Sequence, residues 1–161
     1  MSLSEISNIL WRERQLLELL VFKLEEEHFV LASGRTRWLS HATCEVETIL
    51  EEIKRAELER AMAVVGSTGE LAMSDPPSLR ELAAITAPPW DGIFAEHRHE
   101  LLLLAHEIDA ITTSNRDMLQ RGLLAARVAF ASLSEIGSDT DGAGRAIPDR
   151  SSALRLVDKA M

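Results

Sequence analysis

Apolar residues in the second half of the chain recur at alternating spacings of three and four, which places them on one face of a long α-helix. This pattern runs from Trp90 to about Ile136, and His97, Asn115 and Gly122 fall in the same register. Its apolar members are Phe94, Leu101, Leu104, Ile108, Ile111, Met118, Ala125 and Ala129. An asparagine in such a seam costs stability and is typical of a position that fixes register or partner choice. The pattern therefore predicts a helix that packs against other helices.

The first part of the chain predicts a second long helix over residues 3–32, capped by Ser2 or Ser4. Its leucines at positions 3, 10, 17, 24 and 31 are spaced by seven. Two glutamates, Glu13 and Glu27, interrupt the intermediate positions of this seam. The spacing predicts a helix with one apolar face.

A third long helix is predicted over residues 36–65. Ser33-Gly34 separates it from the first helix, because glycine readily takes the left-handed conformation of a helix C-terminus. The sequence leaves open whether the two helices form a hairpin or a bent rod. Glu59 beside Arg60 predicts charge pairing along the surface of this helix. Its seam repeats the three-and-four spacing at Leu39, Ala42, Val46, Ile49, Ile53, Ala56, Arg60 and Ala63.

The remaining segments predict a connection and a tail. Residues 66–89 are rich in helix breakers and carry one short helix over 78–85, opened by a capping box of Ser78 and Glu81. Residues 137–161 are polar and contain glycine, which predicts a disordered C-terminal tail. The expected fold is all-α: an elongated antiparallel helical bundle or coiled coil of three long helices with a short linker helix. Residues 1–136 are expected to form this domain.

Composition narrows the class of protein. The chain has 161 residues, of which 46% are apolar and 27% charged, and a formal net charge of −9. So acidic a chain lacks the basic footprint of nucleic-acid binding, and no apolar run is long enough to span a membrane. Cys44 is the single cysteine, so no internal disulfide forms, and the N-terminus does not resemble a signal peptide. We therefore expect a cytoplasmic protein.

Two Glu-x-x-His pairs raise the possibility of a carboxylate-bridged di-iron site. They are Glu25 with His28 and Glu96 with His99. However, Glu25 is predicted to point outward, and the second pair lies opposite the apolar face of its helix. His41 and Cys44 lack the third group that a nucleophilic site needs. We therefore expect no catalytic residue, no metal site and no cofactor.

The apolar pattern widens from Asp117 onward, so that the helix is apolar on more sides than two neighbouring helices cover. The additional residues along this helix are Leu102, Leu103, Leu119, Leu123, Leu124, Val128, Phe130 and Leu133. Excess apolar surface of this kind indicates either a docking groove for a partner helix or the interface of a homodimer. The residues alone do not separate these two hypotheses.

Three stretches of the chain resemble the FlgN family of flagellar export chaperones over residues 3–135. They are LLELLVFKLEEEHFVLASGRTRWL, ILEEIKRAELERA and ITTSNRDMLQRGLLAARVAF. The step from Asn115 to Leu119, followed by Gly122-Leu123-Leu124, carries most of the resemblance. The polar tail after Ile136 has no clear counterpart in that family.

The resemblance implies a cytosolic, non-enzymatic chaperone of flagellar type III export. Its clients would be the C-terminal helices of the hook-filament junction proteins FlgK and FlgL, and the flagellar export gate would be a further partner. In that family the C-terminal part of the chaperone is associated with client binding. Carried onto this sequence, the client-binding residues are Asn115, Leu119, Leu123, Leu124, Val128, Phe130 and Leu133. The alternatives are a homo-oligomeric coiled-coil scaffold or adaptor and a di-iron enzyme.

Overall fold

The computed structural model describes residues 2–68 and 77–140, with side chains described for 2–66 and 77–134. All regular elements of this part of the chain are helical, which confirms the all-α fold class. The α-helices are α1 (Leu3–Ala32), α2 (Leu39–Thr68), α3 (Leu79–Ile85) and α4 (Trp90–Thr140), and a 3-10 turn spans Thr36–Trp38. Helix α4 continues four residues beyond its predicted end at Ile136. The rest of the predicted tail, residues 141–161, lies outside the described residues.

The predicted helix ends are confirmed where local side-chain chemistry sets them. Ser2 caps α1: its backbone N–H donates to the Glu5 carboxylate at 2.7 Å, and Glu5 N–H donates back to the Ser2 hydroxyl at 3.4 Å. Ser78 and Glu81 form the same capping box at the start of α3, with the matching distances 2.8 and 3.3 Å. Gly34 has φ of 66°, the left-handed conformation that ends α1.

Helices α1 and α2 form an antiparallel hairpin, which settles the choice between a hairpin and a bent rod. Three contacts between them show this, because residue numbers rise along α1 while they fall along α2. They are Arg12–Glu59 at 2.9 Å, Lys23–Glu45 at 2.8 Å and Glu27–Thr43 at 2.9 Å. Glu59 and Arg60 thus pair with α1, and the prediction that they pair along α2 is wrong.

Helix α4 lies beside α1 and runs parallel to it. From one contact to the next, the residue numbers increase along both helices. The contacts join Ser7 to His97, Arg14 to Glu100, and Leu24 to Asn115. Because all of these residues lie in one compact unit, residues 1–120, they define the packing of that unit. Residues 121–161 form a second unit, in which every described side chain is exposed.

Two apolar clusters hold the first unit together. One lies between the middle parts of α1 and α2, where Ile108 and Ile111 of α4 pack against it. The other gathers the start of α1, the end of α2, α3 and the start of α4. Leu82 is the buried residue of α3, and burying a leucine contributes about 1.5–3 kcal/mol. The members of the second cluster are Ile6, Leu10, Ala63, Val64, Leu82 and Phe94.

Candidate functional site

Six of the seven predicted client-binding residues have exposed side chains on α4. Their exposed fractions are 41% for Leu119, 47% for Leu123, 63% for Leu124, 59% for Val128, 64% for Phe130 and 66% for Leu133. Large apolar side chains grouped in this way mark an interaction surface more often than an ordinary protein surface. The predicted seam also stops being buried here, because Ala125 and Ala129 are exposed. This segment of α4 therefore offers apolar surface that the described residues do not cover.

Five of these exposed residues belong to the second unit, and they lie on two different faces of α4. An α-helix turns by roughly 100° per residue, which places Leu124 and Val128 roughly 100° and 140° from Leu123. The other three lie within a sector roughly 80° wide. We call these three the α4 apolar face: Leu123, Phe130 and Leu133. A single docked helix can contact this face without contacting Leu124 or Val128.

Asn115 differs from the other six because its side chain is buried, with 3% exposed. Its Nδ2 donates to the Leu24 carbonyl at 3.0 Å and to the Glu27 carboxylate at 3.1 Å. His28 Nδ1 donates to Asn115 Oδ1 at 2.9 Å, and Thr43 donates to Glu27 from α2. Asn115 therefore joins α4 to α1 and, through Glu27, to α2, and it is not available to touch a client.

Glu13 and Glu27 are buried in the helix packing, with exposed fractions of 4% and 8%. In the sequence pattern they stand out only as interruptions of the apolar seam. Arg60 Nε donates to both carboxylate oxygens of Glu13, at 2.9 and 3.1 Å. Burial raises the pKa of Glu13 above its ordinary value, although the Arg60 charge opposes this rise. The placement of Arg60 in the seam of α2 was the one signal that pointed to this pair.

His97, which the register placed in the seam of α4, is buried with 2% exposed. Its Nε2 lies 3.2 Å from the Ser7 hydroxyl, and its ring meets the Trp11 ring edge-on at 5.2 Å. Nδ1 has no hydrogen-bond partner among the residues that the structure describes. Burial lowers the pKa of His97, and the neighbouring Arg14 guanidinium lowers it further. His97 is therefore a core histidine held in its neutral form.

The residues considered as candidates for metal binding or catalysis do not form one cluster. Glu25, Glu96 and His99 are exposed, as their positions in the helical register predict. His41 and Cys44 are exposed too, and His41 lies against the Trp38 ring. Within the described part of the chain, no three His, Cys, Asp or Glu side chains are grouped as a metal site requires. The site that the geometry supports is an apolar protein-binding surface.

None of the helices described here is long and apolar enough to cross a membrane. A family model described as FlgN protein matches residues 1–141, and this range includes α1 to α4. No curated protein and no solved structure matches the chain.

Proposed function

This chain belongs to the FlgN family of flagellar export chaperones, and we propose that it binds the C-terminal helices of FlgK and FlgL. Binding would keep these hook-filament junction proteins apart and competent for export. The observation that carries the proposal is the α4 apolar face, on which Leu123, Phe130 and Leu133 are each at least 47% exposed. An apolar stripe of this width fits the apolar side of one amphipathic helix.

The site residues in this proposal are the exposed residues of the α4 apolar face. Phe130 and the leucines of the α4 apolar face supply the apolar contact, while Leu124 and Val128 lie outside the sector that one helix covers. Asn115 has a different part: it stabilises the helix packing that precedes the face. This division assigns client affinity to three side chains.

We further propose that this chain acts in the cytoplasm, as a chaperone of this family would. The FlgN family is not enzymatic, and we propose that this chain likewise has no catalytic activity or cofactor. The flagellar export gate is a proposed second partner, reached after the client is loaded. Residues 1–136 are the proposed functional domain, in which three long helices form an elongated bundle.

The second candidate function is a homo-oligomeric scaffold, which the same exposed apolar surface favours. Light scattering of the purified chain, alone and with the C-terminal helical segment of FlgK or FlgL, separates the two functions. The chaperone hypothesis predicts a complex of one chain with one client segment. A stable dimer or trimer that does not change when the segment is added would support the scaffold and refute the chaperone.

A further inference from the structure

One exposed side of α1, which borders α4 at Trp11 and at Phe29, carries a regular pattern of aromatic and acidic residues. Six residues at alternating spacings of four and three share this side, and all six are exposed. Six of the eight buried residues of α1 lie within roughly 40° of the opposite side of the helix, and the other two, Ser7 and Leu10, lie closer to the stripe near its N-terminal end. We call this set the aromatic stripe: Trp11, Gln15, Glu18, Phe22, Glu25 and Phe29.

The stripe exposes three large aromatic side chains. Trp11 is 50% exposed, Phe22 51% and Phe29 70%. Exposed aromatic residues that repeat along one helix face are typical of contact positions in protein interfaces. Trp11 is also held in place, because the Arg14 guanidinium lies 4.5 Å from its ring centre and His97 meets its edge. This tryptophan is therefore positioned before any partner arrives.

An open groove adjoins the far end of the stripe. Its volume is about 330 Å³, and it lies between Glu25, His28 and Phe29 of α1 and Ala110, Ile111 and Ser114 of α4. Most of its lining is apolar, and Glu25, His28 and Ser114 are its polar residues. Such a groove receives a large aliphatic side chain from a helix that lies along the stripe.

Charge on the stripe selects the partner. Glu18 and Glu25 are seven residues apart, about 10.5 Å along the helix, and Phe22 and Phe29 have the same spacing. Neither glutamate has an ion-pair partner within the described part of the chain. We infer that the stripe docks an amphipathic helix of another protein, with lysine or arginine every seventh residue and aliphatic residues between them.

A second copy of this chain is a poorer occupant of the stripe. In a symmetric dimer through this face, Glu18 and Glu25 would lie close to the same carboxylates of the other copy, and like charges repel. The chain as a whole has a net charge of −9, which adds to this repulsion. The stripe lies on α1, whereas the proposed client surface lies on α4. The inference therefore goes beyond client binding.

The test uses a labelled synthetic helix of about four heptads with leucine and lysine at its two seam positions. A second peptide has glutamate in place of each lysine. Fluorescence anisotropy with the full chain should show that the lysine peptide binds and the glutamate peptide does not. Phe22→Ser with Phe29→Ser should weaken binding by about tenfold or more. Glu18→Lys with Glu25→Lys should reverse the preference between the peptides.

The matched control replaces two exposed apolar residues on another helix. Leu58 and Met62 of α2 are 63% and 64% exposed, and Leu58→Ser with Met62→Ser should leave peptide binding unchanged. Equal binding by the chain with and without Phe22 and Phe29, or equal loss in the α2 control, would overturn the inference. So would a wild-type dimer in sedimentation that the Phe22 and Phe29 substitutions dissociate, because a second copy would then occupy the stripe. The same substitutions should leave FlgK-segment binding intact, which separates this test from the client proposal.

Discussion

At the scale of single residues, Asn115 is the polar contact that aligns α4 with α1. Its amide makes three hydrogen bonds to residues that lie about one turn apart or less on α1: Leu24, Glu27 and His28. A shift of α4 along α1 would break all three. A buried amide with such a set of partners fixes the register of α4 against α1. Setting register is the best-attested role of an asparagine in a helix seam.

Asn115→Leu should therefore destabilise the protein, by about 2–3 kcal/mol in the free energy of unfolding. The physical reason is that leucine leaves the buried Glu27 carboxylate and His28 Nδ1 short of a partner. Denaturant unfolding followed by circular dichroism measures this change. Thr113→Leu, at an exposed position two residues earlier, is the control and should change stability by no more than about 0.5 kcal/mol. A gain in stability for Asn115→Leu would show that the network contributes nothing.

The lowered pKa of His97 predicts how its contribution to stability depends on pH. Because the folded protein lowers the pKa of His97 below its ordinary 6.5, the unfolded chain binds more protons below that pH. The contribution of His97 to the free energy of unfolding should therefore fall as the pH drops from 7 to 5. His97→Gln cannot take up this proton and should therefore lose less stability than the wild type over that interval. Denaturant midpoints at both pH values measure the difference, and equal losses in the two proteins would refute it.

At the scale of elements, the ion pair between Glu13 and Arg60 tests how the α1–α2 hairpin is held. Arg60→Leu alone should cost about 2–3 kcal/mol, because it leaves the buried Glu13 carboxylate without its cation. Replacing both residues with leucine should restore stability or exceed the wild type by up to about 2 kcal/mol, since leucines fit the surrounding seam. Unfolding free energies of the wild type, both single variants and the double variant form the cycle that measures this coupling. If the double variant is as unstable as Arg60→Leu, the pair itself stabilises the hairpin.

Local sequence predicts the helices and where they end, but it does not predict which residues of different helices contact each other. Ser2, Gly34 and the Ser78 capping box act within a few residues of themselves, so the pattern predicts their effect directly. The burial of Glu13 and Glu27 depends on Arg60 and Asn115, which lie on other helices and become neighbours only after folding. For the same reason the sequence alone did not decide whether α1 and α2 form a hairpin or a bent rod.

The candidate site shows the same division. Spacing predicts that Leu123, Phe130 and Leu133 share a face of α4, and their exposure agrees with an unoccupied surface. The widened apolar pattern also drew Leu124 and Val128 into one predicted site, although helix rotation puts them on another face. The resemblance to the FlgN family placed Asn115 in the same predicted site, but its hydrogen bonds join it to α1.

At the scale of the whole molecule, two proposed surfaces serve different partners. The α4 apolar face would bind the apolar side of a client helix, and the aromatic stripe of α1 would bind a basic helix. Because they lie on different helices and consist of different side chains, substitutions can remove one without the other. A chaperone that holds its client while contacting another protein requires such a separation.

Calorimetric titration of a FlgK or FlgL C-terminal segment into two matched double variants tests the central claim most directly. Leu123→Ser with Phe130→Ser removes most of the α4 apolar face. Leu124→Ser with Val128→Ser is the control, because it replaces two apolar residues of similar exposure on the other face of the same helix. The first variant should bind the client about 100-fold more weakly than the wild type. The second should stay within about threefold of it. Wild-type affinity in the first variant, or equal losses in both, would contradict the account.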